Sequence, residues 1–479
     1  MRKAIPVTIA LLFALFLGKA VEAVQPYLAP INEILAAKGI VDDPSPFYTK
    51  TNYYKQFIPD DVWKQITFDP EESRAAWEKA VGLRAKDLVG KIAPEIKPGH
   101  YTLADKEKYP FKELMIPYHY KKFNQPGTEG LPNHIGYFTE FDVIETQQLW
   151  HGLPVAKATI ENMGKTQLDS EGYIRHETFV AGYPFPRPSG EHKAQQIIYN
   201  WIKRRNEPES AANYDLTLGV NSRLNQDHLG TANYFWLTTE GRVMYPPYGW
   251  FDQRAKEQGE SLIQLYTIFS PRDLYGNVYH AIDYADPKKD ITLLAYVNFL
   301  RRIRKLSSTD RQDQAVGQDI CYDDAAMFAQ KIRPDRYPFE MRVIEEREFL
   351  VPAYSFDVSD YLDSKDNYKW KGLKFERRPM WVVELKQKDP NYIYSKRVFY
   401  FDMETLLPHL HEMYDQKGRY YRMYEVMWGV AAPLGYFNAI HVNNCDWIDE
   451  HCTWTFAPSY PALWLTREDM SLKSMMKQK

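Results

Sequence analysis

Apolar and polar residues alternate with a period of two through most of the chain after about Asn213. Such alternation is typical of strands that bury one face, and polar turn residues separate the successive runs. The runs predicted as strands are 233–239, 243–245, 261–269, 277–284, 291–300, 342–351, 380–387, 392–402, 407–414 and 420–430. Hairpins in this succession predict one large, mostly antiparallel sheet of about ten strands, and an open sheet of that size usually curls.

Helical periodicity is convincing in two segments. The first covers residues 70–89, where a proline and an acidic first turn precede apolar positions at helical spacing. The second covers residues 190–205; it follows the rigid Pro-rich stretch 182–188, and Ser189 is its predicted N-cap. Prolines recur through residues 44–126 and predict an otherwise irregular N-terminal region. The apolar face of the second helix consists of Ala194, Ile197, Ile198, Trp201 and Ile202.

The N-terminus carries the pattern of a cleavable secretory signal. A short basic start precedes an apolar run from Ala4 to Gly18, and the small-residue cleavage arrangement Val21-Glu22-Ala23 follows it. The run is shorter than the ~20 residues that a permanent bilayer span needs. An uncleaved N-terminal anchor is the alternative interpretation. We therefore predict a signal peptide over residues 1–23, a mature chain that begins near Val24, and a periplasmic location.

These patterns divide the chain into three parts. Residues 1–23 form the signal peptide, residues 24–130 an irregular Pro-rich region with one helix, and residues 131–479 a β domain with a C-terminal extension. After the signal, no further apolar stretch approaches the length of a membrane span, so we expect a mature protein that is not integral to the membrane. The formal net charge is −3, without a large basic block, which argues against a nucleic-acid partner.

The three cysteines fit an oxidising compartment. Cys445 and Cys452 have a spacing that can close a small loop between two strands, and we predict that they form a disulfide. The alternative is a metal site that includes His441 or His451, although a second Cys-x-x-Cys element is lacking. Cys321 would remain as an unpaired, buried thiol.

Other candidate motifs carry weaker signals. The basic run Arg301–Lys305 is either a rim that meets anionic lipid or a partner, or a solvated strand end. His409 and His411 share one side of a strand and could begin a metal site, but no third ligand is evident. The sequence contains no nucleophile elbow, phosphate-binding loop or dinucleotide fingerprint. We therefore predict no catalytic residue, cofactor or metal, and a protein that is not an enzyme.

Four segments carry a resemblance to a known family. They are Gly182–Pro188 with the helix that follows, Ser270–Gly276 leading to residues 294–306, Gly317–Asp324, and Tyr394–Asp402 with residues 414–418. Together they resemble the secreted bacterial domain-of-unknown-function family often labelled outer-membrane lipoprotein-sorting proteins, over most of residues 150–430. The resemblance implies the fold of the related periplasmic lipoprotein carriers, an open half-barrel of antiparallel strands that holds acyl chains against a helical lid. It also implies a partner of the resistance-nodulation-division exporter type or an outer-membrane protein.

The fold class that we expect is therefore mainly β, with a large curved antiparallel sheet and a few covering helices. Aromatic residues make up 15% of the chain; a β-rich fold explains some of this excess, a surface that binds a bulky apolar ligand would explain more, and composition alone does not separate the two. The main hypothesis is a periplasmic carrier of hydrophobic molecules, lipid or lipid-like. A ligand-free accessory subunit of an envelope transport complex is the alternative, and an unrecognised hydrolase is the third. The predicted cavity residues are Ile198, Trp201, Tyr296, Trp381, Val383, Tyr400 and Trp428.

Overall fold

A computed structural model describes residues 60–128, 135–205, 207–307, 310–315, 317–333, 335, 337–354, 361–431, 434–457, 459–463 and 465–473. The predicted signal peptide and the first part of the Pro-rich region, up to residue 59, lie outside the described residues. No helix within the described ranges combines the length and the apolar character that a membrane span requires.

The described residues form eighteen strands, of which sixteen belong to one sheet. The strands are β1 (Gly99–Thr102), β2 (Glu140–Val143), β3 (Ser210–Val220), β4 (Gln226–Thr238), β5 (Glu260–Ser270), β6 (Val278–Tyr284), β7 (Thr292–Val297), β8 (Arg302–Leu306), β9 (Phe339–Pro352), β10 (Tyr361–Asp363), β11 (Lys369–Lys371), β12 (Lys374–Gln387), β13 (Lys396–Asp402), β14 (Pro408–Tyr414), β15 (Tyr420–Ala431), β16 (Tyr436–Asp446), β17 (His451–Phe456) and β18 (Ser459–Pro461).

The main path through the sheet runs β12–β13–β14–β15–β16–β17–β3–β4–β5–β6–β7–β8, with antiparallel neighbours throughout. Strand β9 pairs along the other edge of β12, and β2 pairs with the start of β12 in parallel, so the sheet is mixed. Within the described part of the chain, β8 has β7 as its one neighbour, and the sheet does not close into a barrel. The predicted fold class, mainly β with a large open sheet and few helices, is confirmed.

The helices are short. They are α1 (Asp60–Ile66), α2 (Pro70–Val81), α3 (Ala85–Leu88), α4 (Phe111–Leu114), α5 (Pro117–Lys122), α6 (Leu153–Asn162), α7 (Lys193–Arg204) and α8 (Gln253–Gln258), with 3-10 turns at Leu103–Asp105, His176–Thr178, Asp310–Gln312 and Tyr322–Met327. The helix predicted over 70–89 is two helices, because Gly82 adopts a left-handed conformation with φ of 76° and ends α2. The second predicted helix starts at Lys193, and His192 rather than Ser189 precedes it.

The strand predicted over 243–245 is absent, and buried charge explains the difference. The Glu209 carboxylate accepts hydrogen bonds from the backbone N–H groups of Val243 (2.7 Å) and Met244 (3.0 Å). The neighbouring Arg242 guanidinium donates to the Thr238 carbonyl at 2.7 Å. Side chains therefore satisfy backbone groups that a sheet ladder would otherwise pair.

The C-terminal segment covers one face of strands β4–β7. Ala462, Leu465, Met470 and Leu472 are buried there in a single apolar cluster with sheet residues. The sheet residues of this cluster are Leu237, Ile263, Leu265, Val278 and Tyr296. Because side chains alternate along a strand, the opposite face of the same strands presents a different set of residues.

A buried ionic cluster attaches the N-terminal helices to the turn between β13 and β14. The Arg378 guanidinium contacts Asp402 at 2.5 Å and Glu404 at 2.7 Å, and all three side chains are buried. The other Glu404 oxygen accepts the backbone N–H of Ala85 at 2.9 Å, and the Trp77 indole donates to the Glu404 carbonyl at 2.8 Å. These contacts hold α2 and α3 against the sheet.

Candidate ligand-binding cavity

A cavity of about 530 Å³ lies on the face of the sheet opposite to the C-terminal cluster. Alternate positions of β3–β8 form one wall, and alternate positions of β15–β17 form another. Seven strands separate β15 from β8 in the sheet, so a flat sheet would hold them roughly 38 Å apart at ~4.8 Å per strand. Both strands line one small cavity, which means that the sheet curls around it.

Aromatic rings from the strands and from α7 contribute much of the cavity lining. The indole N–H groups of Trp201, Trp236 and Trp428 donate to backbone carbonyls at 3.1, 2.6 and 2.9 Å, respectively. Fixed in this way, the rings present apolar surface to the cavity. The other strand residues with rings or aliphatic side chains that line it are Tyr234, Tyr266, Tyr279, Ala281, Leu293, Ala295, Val297, Leu306, Tyr424, Val426, Phe437, Ala439 and Val442.

A polar pair on β3 lies within the largely apolar wall. Asn213 and Asp215 occupy alternate positions of β3, and the Asn213 amide donates to the Asp215 carboxyl at 2.7 Å. Burial raises the pKa of Asp215 to about 7. The Asn213 side-chain oxygen is buried without a hydrogen-bond partner among the described residues. On the same wall, burial and the Asp215 charge both raise the pKa of the Tyr266 phenol.

The segment from Asp310 to Met327 lines the cavity from outside the sheet. Buried ion pairs anchor it: Asp324 meets Arg397 of β13 at 2.8 Å, and Asp323 meets Arg311. The Cys321 thiol donates to Asp324 at 3.1 Å, and burial raises the pKa of this thiol. Cys321 is the buried free thiol that the sequence predicts.

The C-terminal end of α7 closes another side. Trp201 and Arg204 both line the cavity, and Arg204 is paired with Glu207 at 2.7 Å and with Glu209 at 3.2 Å. The charge of Arg204 is therefore neutralised within the wall. The apolar face of α7 packs into the main hydrophobic core, where Ile197 and Ile198 are buried.

The seven predicted cavity residues occupy three places. Trp201 and Trp428 line the cavity together, with ring centroids 6.1 Å apart. Tyr296 lies on the opposite face, in the cluster covered by the C-terminal segment. The remaining residues are buried in the main hydrophobic cluster and do not line the cavity; among them, Tyr400 contacts Phe349 at 5.6 Å between ring centroids. These core residues are Ile198, Trp381, Val383 and Tyr400.

Sequence reasoning missed the polar pair of the cavity. In β3 the polar positions Asn213, Asp215 and Thr217 share one face, and the apolar positions Leu216 and Leu218 share the other. This alternation alone predicts that the apolar face of β3 is the one that faces inward. The cavity instead faces the polar positions of β3, and their i, i+2 spacing was the one sequence signal for them.

The predicted disulfide between Cys445 and Cys452 is confirmed. The two residues are directly opposite each other in β16 and β17, with a Cα–Cα distance of 4.1 Å. Their thiolates are therefore unavailable to the alternative metal site. His441 stacks on Trp454 at 5.0 Å between ring centroids, and His451 is hydrogen-bonded to Asp319 at 2.7 Å.

The paired histidines of β14 serve as packed rings. His409 meets Tyr354 edge-on at 4.8 Å, and His411 meets Phe399 edge-on at 4.7 Å. Burial lowers the pKa of both imidazoles to about 3. Among the described residues, no group of three His, Cys, Asp or Glu side chains is placed to hold a metal ion.

An open, curled β sheet with an aromatic cavity defines the structural class of this protein. The model of the family described as "Protein of unknown function (DUF1329)" matches residues 119–462. The chain belongs to this family, which confirms the resemblance found in its motifs. No curated protein sequence matches the chain.

Several solved structures are similar to part of the chain. A domain described as an outer membrane lipoprotein-sorting protein, from Vibrio parahaemolyticus, is 15% identical with a TM-score of 0.42, over 60% of this chain and 99% of that one. A DUF1329 family protein from Desulfovibrio piger is 12% identical with a TM-score of 0.41, over 57% and 94%. A LolA superfamily protein from Nitrosomonas europaea is 11% identical with a TM-score of 0.37, over 59% and 98%.

Proposed function

We propose that the protein binds and carries hydrophobic molecules, lipid or lipid-like, in the periplasm. The cavity of about 530 Å³, walled largely by aromatic and aliphatic side chains, is the observation that supports this most directly. Small-molecule sites typically have volumes of roughly 300–1,000 Å³. Burial of apolar surface contributes roughly 25 cal/mol per Å², which favours a long apolar ligand in such a cavity.

The polar pair of β3 suits one end of an amphiphilic ligand. The unpartnered Asn213 oxygen can accept a hydrogen bond, and Asp215 can donate one when protonated or accept one when ionised. A hydroxyl or amine group on an otherwise apolar molecule would satisfy these atoms. The ligand class that we propose is therefore an amphiphile with a small polar group, oriented toward β3.

The periplasmic location rests on the signal pattern of residues 1–23. An exporter of the resistance-nodulation-division type, or an outer-membrane protein, belongs to the proposal as the donor or acceptor of the ligand, on the strength of the family resemblance. Fractionation of cells should place the protein in the periplasmic extract, and the intact mass should correspond to a chain that starts near Val24. A full-length mass in the membrane fraction would contradict this part.

The ligand is tested by native mass spectrometry and lipid extraction of purified protein. We expect extractable lipid bound to the wild-type protein. The double variant Ala295→Phe/Ala439→Phe fills the cavity from two walls and should lose the lipid, while far-UV circular dichroism stays unchanged. Ile344→Phe, at an exposed position of β9, is the matched control and should retain it.

A fluorescent probe gives an independent measurement. N-phenyl-1-naphthylamine should bind delipidated wild-type protein and the Ile344→Phe control, and bind the cavity-filled variant weakly. Absence of both lipid and probe binding in the wild-type protein would overturn the carrier function. That result would favour the ligand-free accessory subunit.

A further inference from the structure

The turn between β7 and β8 exposes two large apolar side chains. The Arg301 N–H donates to the Asn298 carbonyl at 3.1 Å, which places Phe299 and Leu300 at the tip of the turn. Phe299 is 91% exposed, the highest value for any large apolar side chain within the described ranges, and Leu300 is 51% exposed. Turn positions favour Gly, Asn, Asp, Ser and Pro, so folding gives no reason for a phenylalanine and a leucine here.

A second loop holds this tip in a fixed shape. The Asn298 amide donates to the Tyr275 carbonyl at 3.0 Å, and the Asn298 N–H donates to the Asn277 side chain at 2.9 Å. Gly276 lies so close to Asn298 that a Cβ atom would come within 2.7 Å of the amide nitrogen. Tyr275 is itself 58% exposed. The two loops therefore form one apolar projection.

Basic residues adjoin the projection in the sequence. The segment Asn298–Lys305 and the loop Pro271–Gly276 together contain five basic residues and a single acidic one, Asp273. The basic residues are Arg272, Arg301, Arg302, Arg304 and Lys305. None of the five forms an ion pair with a described residue. Charge on β8 also protects the edge of a sheet from pairing with other chains, but edge protection does not explain the apolar tip.

We propose that this projection docks on the surface of an anionic lipid bilayer. Phe299 and Leu300 enter the interface, and Arg301 and Arg302 beside the tip meet the phosphate groups of the lipids. A small convex tip offers far less area than the roughly 800 Å² per partner that a stable protein interface buries. Exposed apolar side chains next to basic residues are instead typical of proteins that bind membrane surfaces.

The position of the projection links it to the cavity. Val297 precedes the tip, Arg304 and Leu306 follow it, and all three line the cavity. Docking would bring this side of the cavity to the bilayer, where an apolar ligand can pass between protein and membrane. This consequence rests on the proposed function, whereas membrane binding itself does not.

The test is co-flotation of the full mature chain with lipid vesicles. We expect binding to phosphatidylcholine vesicles that contain roughly 30% phosphatidylglycerol, and weaker binding to phosphatidylcholine alone. Phe299→Ser/Leu300→Ser should reduce the bound fraction about tenfold or more. The matched control Ile344→Ser/Ile448→Ser, which alters two exposed apolar residues elsewhere, should bind as the wild-type protein does.

Charge reversal completes the test. Arg301→Glu/Arg302→Glu should abolish the dependence on phosphatidylglycerol, and Arg223→Glu/Lys365→Glu should leave it intact. Wild-type protein that does not float with anionic vesicles, or an equal loss in the control pairs, would overturn the docking proposal. Lipid content measured in solution reports on the cavity separately. Protein that contains lipid but does not bind vesicles would contradict only the docking proposal. Protein that binds vesicles but contains no lipid would contradict only the carrier function.

Discussion

At the scale of single residues, Asp215 lies in surroundings that disfavour its charge. Its carboxyl group lies in an apolar wall with the Asn213 amide as its hydrogen-bond donor, and the phenols of Tyr266 and Tyr424 are close enough to respond to its charge. A carboxyl group whose pKa is raised from 3.8 to about 7 binds its proton more tightly in the folded state than in the unfolded state. Its contribution to stability is therefore highest below pH 4 and falls as the pH rises to about 7.

Asp215→Asn should remove this dependence on pH. Relative to the wild-type protein, we expect the variant to gain up to about 4 kcal/mol in unfolding free energy between pH 4 and pH 8, because the amide does not ionise. Urea unfolding of both proteins at the two pH values measures the difference. Glu95→Gln, at an exposed position, is the control and should track the wild-type protein. Equal slopes for Asp215→Asn and wild type would contradict the prediction.

The surroundings of His451 favour its charged form, whereas those of Asp215 disfavour the charged form. Its ring nitrogens contact Asp319 at 2.7 Å and Asp227 at 3.1 Å, and these carboxylates raise the pKa of the imidazole to about 9. Stabilisation from the imidazolium is present in full below pH 6.5 and is lost as the pH rises through 9. His451→Gln should cost about 1–3 kcal/mol at pH 6 and little at pH 10, measured by urea unfolding. A cost that is the same at both values would refute the ionic role, and His176→Gln, at a half-buried position, serves as the control.

At the scale of elements, the hairpin of β16 and β17 is locked by its disulfide. Cys452 also pairs with Val220 of the neighbouring strand β3. The disulfide therefore lies where strands β12–β17 join strands β3–β8 in the sheet. Cys445→Ser/Cys452→Ser should lower the unfolding free energy by about 2 kcal/mol, as expected for a short closed loop. Thiol titration of the denatured, unreduced wild-type protein should count one free thiol, from Cys321. A count of three would show that the link is absent in the protein as isolated.

The period-two alternation of apolar and polar residues was a reliable predictor of the positions of several strands. The runs at 261–269, 277–284 and 407–414 coincide with β5, β6 and β14 within two residues. Prediction failed where a local feature overrides periodicity, as at Gly82, whose left-handed backbone ends α2, and at Glu209, whose carboxylate replaces a strand ladder.

The cavity residues were harder to predict than the strands. Periodicity tells which residues of a strand share a face, but the face that turns inward depends on how the sheet curls. In β7 the residues facing the cavity are Leu293, Ala295 and Val297, so Tyr296 necessarily lies on the opposite side. One face of β7 lines the cavity and the other packs against the C-terminal segment, so both faces are apolar. Nothing within a single strand distinguishes them.

For the whole molecule, the C-terminal segment covers one face of four of the sixteen strands of the sheet, β4–β7. Ending the chain after Pro461 removes Leu465, Met470 and Leu472 from the outer face of β4–β7. We expect a loss of roughly 5 kcal/mol or more in unfolding free energy, from three buried side chains at about 1.5–3 kcal/mol each. Increased binding of an apolar dye in the folded baseline would report the uncovered face. A chain that ends after Lys473 keeps the cluster and should behave as wild type.

The pairing of β3 with β17 and β18 also sets the order in which the molecule can be assembled. One cavity wall comes from strands β3–β8 and the other from strands β15–β17, near the end of the chain. During synthesis, one edge of β3 stays unpaired until β17 and β18 have been made. Pairings between strands so distant in sequence form slowly. The cavity therefore does not exist in a partly made chain. Under the proposed function, the protein therefore binds its first ligand only after the last strands have joined.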